Sequence, residues 1–252
     1  MKVSIITACY NSAATIEDTL QSVANQDYPN IEHIIVDGAS SDDTLVIAEK
    51  FHHVSKIISE KDKGIYYAMN TGIHIATGDI IAILNSDDFY THNAVISKVV
   101  QKMVAENADC LYADLDYVNP QNTKEVLRKW HSGKFASKKF HYGWMPPHPT
   151  FFVKHEIYEK YGNFDTSFVT AADYELMLRF LLKYNIPVAY LEETIVHMRA
   201  GGHSASSLMH RIKANIEDAK AWKKNKLNPY FFTTLLKPAR KIHQFFPKKR
   251  KQ

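Results

Sequence analysis

The chain has 252 residues, 45% hydrophobic and 23% charged, with 9 Gly and 9 Pro, which excludes a disordered, collagen-like or coiled-coil protein and suits one large α/β domain with appendages. Its formal charge of +4 is uneven: residues 237–252 carry seven bases and no acid, and 211–236 carry six bases against Glu217 and Asp218, which leaves −7 on residues 1–210. Cys9 and Cys110 make neither a disulfide framework nor a metal-ligand spacing, as expected of reduced thiols in the cytoplasm. No apolar run approaches the roughly 18 to 20 residues that cross a bilayer, and the N-terminal VSIITAC is too short for a signal peptide.

In chain order, short β-branched runs alternate with helical patterns, the signature of βαβ units around a mostly parallel sheet. The candidate strands are VSIITAC, IEHIIVD, KIISE and DIIAILN. Ile16, Leu20, Val23 and Ala24 set one apolar stripe on a helix from near Ser12 to before Pro29. Ser40 with Asp43 three residues on predicts a capping box for a helix through Phe51. A third crossover, about 65–76, carries Ile65, Met69, Ile73 and Ala76 as its stripe and returns to the strand at Ile80. A helix near 92–106, a strand at 109–118 and an irregular stretch at 124–152 follow. The helix at 172–184 has Tyr174, Met177, Leu178, Leu181 and Leu182 on one face.

In an open α/β sheet, ligands bind where the strands end. The polar residues cluster there: Ala8, Tyr10 and Asn11 after strand one, Asp37 closing strand two, Glu60 to Lys63 after strand three, and Asn85, Asp87 and Asp88 after strand four. Adjacent carboxylates ending a hydrophobic strand call for a cation, and their hard oxygens suit Mg²⁺ or Mn²⁺ shared with substrate phosphates. Helix capping by Asp87 and Asp88 is the alternative. Asp37 is either a turn residue before Gly38 or an acceptor for the imide N–H of a pyrimidine.

Together VSIITACYN, IIVDGASSDDT, SEKDKGIYYAMNTGIHIATGD, AILNSDD, PPHPTFF and AADYELMLR resemble, in order and spacing, the family 2 glycosyltransferases, over roughly residues 1–205. The chain looks like the small bacterial members that build O-antigen, capsule or exopolysaccharide. The resemblance implies the A-type glycosyltransferase fold, Rossmann-like with a mostly parallel sheet and flanking helices, to which this chain adds a C-terminal helical basic extension. It divides the chain into a transferase domain at 1–205, with a donor half at about 1–118 and an acceptor half at 119–205, and a helix and tail at 206–252. It further implies an inverting transfer from a nucleotide-diphospho-sugar, UDP-linked, to a hydroxyl of a glycan or lipid-linked glycan, with Mn²⁺ or Mg²⁺.

Carried over by position, Ala8, Tyr10, Asp37, Asp62, Lys63 and Ser86 are expected at the nucleotide. The metal falls to Asp87, with Asp88 and His203. Asn85 stands where the family keeps the first Asp of its Asp-x-Asp motif, which removes one charge. Asp173 matches the general base, whose usual Glu neighbour is replaced by Ala172, with a carboxylate that only complements the helix dipole as the alternative. His148 falls near the acceptor, with a satisfied loop histidine as the alternative. Arg199, in MRAGGHSASS, is expected to close over the diphosphate, with a plain turn and helix cap as the alternative. A sugar nucleotidylyltransferase would carry a Gly-rich basic loop where this chain reads YNSAATIED. A non-catalytic polyanion-binding module would use the basic tail, but the acidic body argues against it, and no nucleic acid is expected. The tail, with aromatics interleaved among bases, suits an anionic membrane surface, which would place the protein peripherally on the inner face of the cell membrane; a solvated tail that aids solubility or binds polyanions nonspecifically is the alternative.

Overall fold

The computed structural model describes residues 1–201, 208–233 and 236. Its elements run β1 (Val3–Cys9), α1 (Ile16–Ala24), β2 (Ile31–Asp37), α2 (Thr44–Ala48), β3 (Val54–Ser59), α3 (Ile65–Ile75), β4 (Ile80–Ile83), β5 (Asp88–Tyr90), α4 (Val95–Ala105), β6 (Cys110–Val118) and β7 (Val126–Trp130). There follow α5 (Lys138–His141), a 3₁₀ turn (His148–Thr150), β8 (Phe152–Lys154), α6 (His155–Tyr161), α7 (Ala172–Met177) continued by a π-helical stretch (Leu178–Lys183), β9 (Val188–Arg199) and α8 (Leu208–Lys224).

One mixed, mostly parallel sheet has the order β3-β2-β1-β4-β8-β6-β9-β5, with β7 paired to β6. The first four strands in that order are mutually parallel. β8 is antiparallel to both β4 and β6, and two reversals restore direction, so β6 and its parallel partner β9 end on the same edge as β1 and β4. That edge is where a ligand site can form. β1 is buried along its whole length, as a parallel strand covered on both faces must be. One face is covered by α3, α6, α7 and, through Ala221 and Trp222, by α8. The other is covered by Val95, Ile96, Val99, Val100 and Met103 of α4. A Cβ on Gly72 would lie 2.4 Å from Ile6 Cγ2, so glycine is what lets α3 approach β1.

The fold class is therefore as expected, with local corrections. A turn at Ser12–Thr15 precedes α1, and Ala24 is exposed. The predicted capping box does not form: Asp43 makes no side-chain cap bond, and Ser40 bonds Asp37 instead. Ile65 is exposed, although Met69 and Ile73 are buried. The irregular stretch holds β7, which makes a hairpin with β6. NSDD runs into the short strand β5 and not into a helix, so neither Asp87 nor Asp88 caps α4, whose N-cap is Ala94.

Candidate active site

The loops after β1 and β2 are laced together. Asn11 (φ 47°) accepts the Ser41 N–H at 2.9 Å through Oδ1 and donates its own N–H to Ser40 Oγ at 2.8 Å. Ala39 is held in the left-handed region at φ 62°, strain that tends to mark functional turns. Asp37 is wholly buried: Oδ2 accepts the Ser40 N–H (2.9 Å) and Ser59 hydroxyl (2.7 Å), and Oδ1 accepts the Ser40 hydroxyl and the Cys9 thiol. With its acceptor positions engaged inside the protein, it fixes the loop. The exposed Tyr10 ring and Asp62 flank Gly38, where a Cβ would lie 3.4 Å from Tyr10 Cδ2 and 3.2 Å from Asp62 Oδ2. Ala8 is buried opposite Val36. Ser86 is tied to the same edge, its Oγ 2.9 Å from Ser12 Oγ and its carbonyl accepting the Thr15 hydroxyl at 2.9 Å. Lys63 is exposed on the loop after β3.

The second cluster is acidic. Asp88 is fully buried; its Oδ2 accepts the Asn85 amide at 2.9 Å, and its Oδ1 has no hydrogen-bond partner. Burial, then the Asp87 charge, push its pKa well above the ordinary carboxylate value. Asn85 thus does what an aspartate in its place could not: it donates to a buried carboxylate and does not repel it. Arg199 is buried rather than poised over a ligand. It donates to the Asp87 carbonyl at 2.7 Å, pairs with Asp18, and its Cζ lies 5.0 Å from the Phe89 ring centroid. His203 lies outside the described residues.

The donor set fits a hard divalent cation of the kind that takes one or two carboxylates and completes its shell with phosphate oxygens: Asp87 at the strand end, beside an orphaned carboxylate oxygen. Among the described residues no three His, Cys, Asp or Glu side chains form a group that could hold an ion by themselves.

Asp173 lies in the first turn of α7. Tyr66 of α3 donates its hydroxyl to Asp173 Oδ1 at 3.3 Å, and His148 Nδ1 lies 3.3 Å from Oδ2. Burial, then the Asp173 charge, push the Tyr66 hydroxyl well above its ordinary pKa, so it stays a donor. The neighbouring Ala172 is fully buried in the core, where a glutamate would be stranded without water. Orientation of the carboxylate comes instead from Tyr66 and His148. The turn before it is held by Glu217 of α8, which accepts the N–H groups of Val169 (2.9 Å), Thr170 (2.8 Å) and Ala171 (3.0 Å) and the Thr170 hydroxyl (2.8 Å). Those bonds hold Glu217 below the usual carboxylate range although burial pushes the other way. Burial pushes the hydroxyl of Tyr117, at the end of β6, above its ordinary pKa, the neighbouring Arg128 works against this, and the charges of Asp88 and Asp173 add to it.

Sequence reasoning singled out His148 and Asp173, which meet here. It missed Tyr66, Tyr117 and Glu217. Tyr66 sat inside a quoted motif, off the apolar stripe of its helix, and that misfit was the available signal.

Residues 4–170 match the family described as glycosyl transferase family 2. The chain is 33% identical over 218 residues, 84% of its length and 83% of the relative's, to the UDP-Glc:alpha-D-GlcNAc-diphosphoundecaprenol beta-1,3-glucosyltransferase WfaP of Escherichia coli. The fold matches S. aureus TarS 1-349 in complex with UDP-GlcNAc at a TM-score of 0.66 and 20% identity, over 88% of this chain and 69% of that one, while the match spans 41% of a longer TarS chain. It also matches the mannosyltransferase PcManGT from Pyrobaculum calidifontis, in complex with GDP-Man and Mn2+, at a TM-score of 0.67 and 21% identity, over 96% of this chain and 70% of that one.

Proposed function

Because the chain belongs to glycosyl transferase family 2 and is a glycosyltransferase, we propose that it transfers a sugar, with inversion, from a UDP-sugar to a hydroxyl of a lipid-linked glycan in cell-surface polysaccharide synthesis. The observation that carries this reading is an Asp173 carboxylate held by Tyr66 and His148, together with a strand-end carboxylate pair, Asp87 and Asp88, in which the buried Asp88 Oδ1 has no hydrogen-bond partner. An inverting transfer needs that division. Asp173 takes the proton from the acceptor hydroxyl, whose oxygen bonds to the anomeric carbon as the bond from that carbon to the diphosphate breaks on the opposite face. UDP leaves with the bonding electron pair. Tyr66 and His148 hold the accepting oxygens of Asp173 toward the acceptor, which preserves the reactive geometry. Tyr10, Gly38 and Asp62 supply the slot for the nucleoside, and Asp37 keeps that slot's loop in shape. Asp87, with Asp88, would hold Mn²⁺ or Mg²⁺, which when bound neutralises charge on the leaving diphosphate. The undecaprenol-diphosphate acceptor named for WfaP and the UDP-GlcNAc bound by TarS support the donor and acceptor classes.

A panel of UDP-, GDP- and dTDP-sugars, assayed for hydrolysis and thermal stabilisation with Mn²⁺ and with EDTA, tests the donor. The expected result is turnover and stabilisation by a UDP-sugar that EDTA removes. Stabilisation by none of the panel, or by a GDP- or dTDP-sugar alone, overturns the UDP assignment.

A further inference from the structure

Alternate residues of β6 share one face of the sheet, and on the face under α7 they read Tyr112, Asp114 and Asp116. Tyr112 belongs to the aromatic core there, 5.7 Å from the Trp144 ring and 5.2 Å from the Tyr190 ring. The two aspartates carry the same face onward to the edge where the strands end, and both are buried. Asp114 is held by three donors: the Tyr190 hydroxyl at 2.7 Å, the Ser132 N–H at 2.8 Å and His131 Nδ1 at 3.0 Å. The β6–β9 ladder slips on both sides of Asp114, an irregularity of the kind that re-aims side chains beside active sites.

Hydrogen bonds tie this stretch to the base. Thr150 Oγ1 accepts the Ala113 N–H at 3.1 Å, and Thr150 shares its 3₁₀ turn with His148, whose Nδ1 lies 3.3 Å from Asp173 Oδ2. The Ser132 hydroxyl donates to the Ala113 carbonyl at 2.9 Å, which fixes the loop that carries His131 at the same place.

The chemistry of the cluster selects a ligand. His131 spends Nδ1 on Asp114 while its side chain stays 41% exposed, so Nε2 is the nitrogen left to meet a ligand, and it can exchange a hydrogen bond with a hydroxyl. Asp116 is 7% exposed and its Oδ1 has no hydrogen-bond partner, although Lys129 of β7 and His197 of β9 stand opposite it in the ladders. A carboxylate oxygen so placed lacks a donor. A diphosphate diester brings none, whereas a sugar brings several hydroxyls.

We propose that Asp116 and His131, the latter held by Asp114, bind hydroxyls of the acceptor sugar and select which sugar is presented to Asp173. The proposal rests on the glycosyltransferase reading above and deepens its acceptor side. A donor sugar offers the same hydroxyls, and the experiment separates the two.

In the full chain with Mn²⁺, the acceptor KM is measured with alkyl glycosides of glucose, galactose, mannose and GlcNAc, each with and without an intervening diphosphate. Binding of UDP-sugars is measured alongside. His131→Asn keeps an N–H near the place of Nδ1 and removes Nε2. It should raise the acceptor KM at least tenfold while the dissociation constant of the UDP-sugar stays within twofold. His131→Gln, whose amide reaches nearer to Nε2, gives a smaller rise. Asp116→Val suits a strand and removes a carboxylate oxygen without a partner, so the acceptor KM rises as much while the melting temperature does not fall. Asp116→Asn takes its place if the Val variant unfolds. If the variants at both positions keep the acceptor KM within twofold of wild type, the cluster only closes the β6–β7 hairpin and the proposal falls. A UDP-sugar dissociation constant raised tenfold with an unchanged acceptor KM assigns these residues to the donor sugar and equally overturns it. A wild type that binds UDP-sugar but transfers to none of the glycosides overturns this proposal alone. One that binds no UDP-sugar overturns the nucleotide reading and the proposal with it.

Discussion

Asp173 and Asp87 are both carboxylates at strand or helix ends, yet replacing each by its amide should fail differently. Asp173→Asn keeps the Tyr66 hydrogen bond and the packing around Ala172 but cannot take a proton, so transfer should fall by about 10² to 10⁴ while UDP affinity stays within twofold. Lost UDP affinity in that variant would move Asp173 to the donor side. Asp87→Asn should lower donor turnover by orders of magnitude and shift the Mn²⁺ titration to higher concentration, because it removes the carboxylate proposed as the direct metal ligand. Unchanged Mn²⁺ dependence would remove Asp87 from the metal. A stability loss of about 1 kcal/mol, the mark of a lost helix cap, is not expected, because β5 and not a helix follows Asp87.

At the level of elements, α8 matters as the buttress of α7. Glu217 gathers three N–H groups at the turn before Asp173, Trp222 donates to the Tyr174 hydroxyl at 2.8 Å, and Asn225 donates to Glu175 Oε1 at 3.0 Å. Glu217→Ala leaves those N–H groups without their anion. It should cost about 2 kcal/mol in denaturant unfolding and lower kcat several-fold with UDP affinity unchanged. A variant with wild-type kcat would show that the turn keeps Asp173 in place without α8. The strands β1, β2 and β6, the crossover α3 and the strand-end position of the polar residues were legible because burial periodicity and motif spacing are local. The neighbours of the site residues were not. Tyr66 lies 107 positions from Asp173, and Arg199 lies 181 from Asp18, separations at which no pattern of residues announces a contact. β5 has three residues, too few for alternation to show, and the exchange of Glu for Ala172 becomes intelligible only once position 172 is seen to be inside the core.

Across the whole molecule, positive charge is gathered at the C-terminal end of the sequence, and exposed aromatic side chains precede it there. The chain beyond α8 folds back on α5: the Thr233 hydroxyl donates to the His141 carbonyl at 2.7 Å, and the Tyr230 ring packs tilted against His141 at 4.8 Å and edge-on against Tyr142 at 5.8 Å. Phe231, packed edge-on against Phe232, is 93% exposed, and Tyr142 and Tyr230 are each 47% exposed. The basic run at 237–252 follows directly in sequence and lies outside the described residues. No helix among the described residues is long and apolar enough to cross a membrane. Each base near an anionic bilayer contributes about 1 kcal/mol, and inserting one Phe adds about 2 kcal/mol. Either contribution alone is weak, whereas together they would hold the enzyme where a lipid-linked acceptor lies. The full chain should therefore sediment with anionic vesicles in preference to neutral ones, and less so as salt rises. A chain ending at Leu236 should lose the salt-dependent part, Phe231→Ser should lose part of the binding that salt does not reach, and a chain ending at Leu227 should lose both. Equal sedimentation of the full chain with neutral vesicles, or undiminished sedimentation of the chain ending at Leu227, would place the membrane contact elsewhere or remove it.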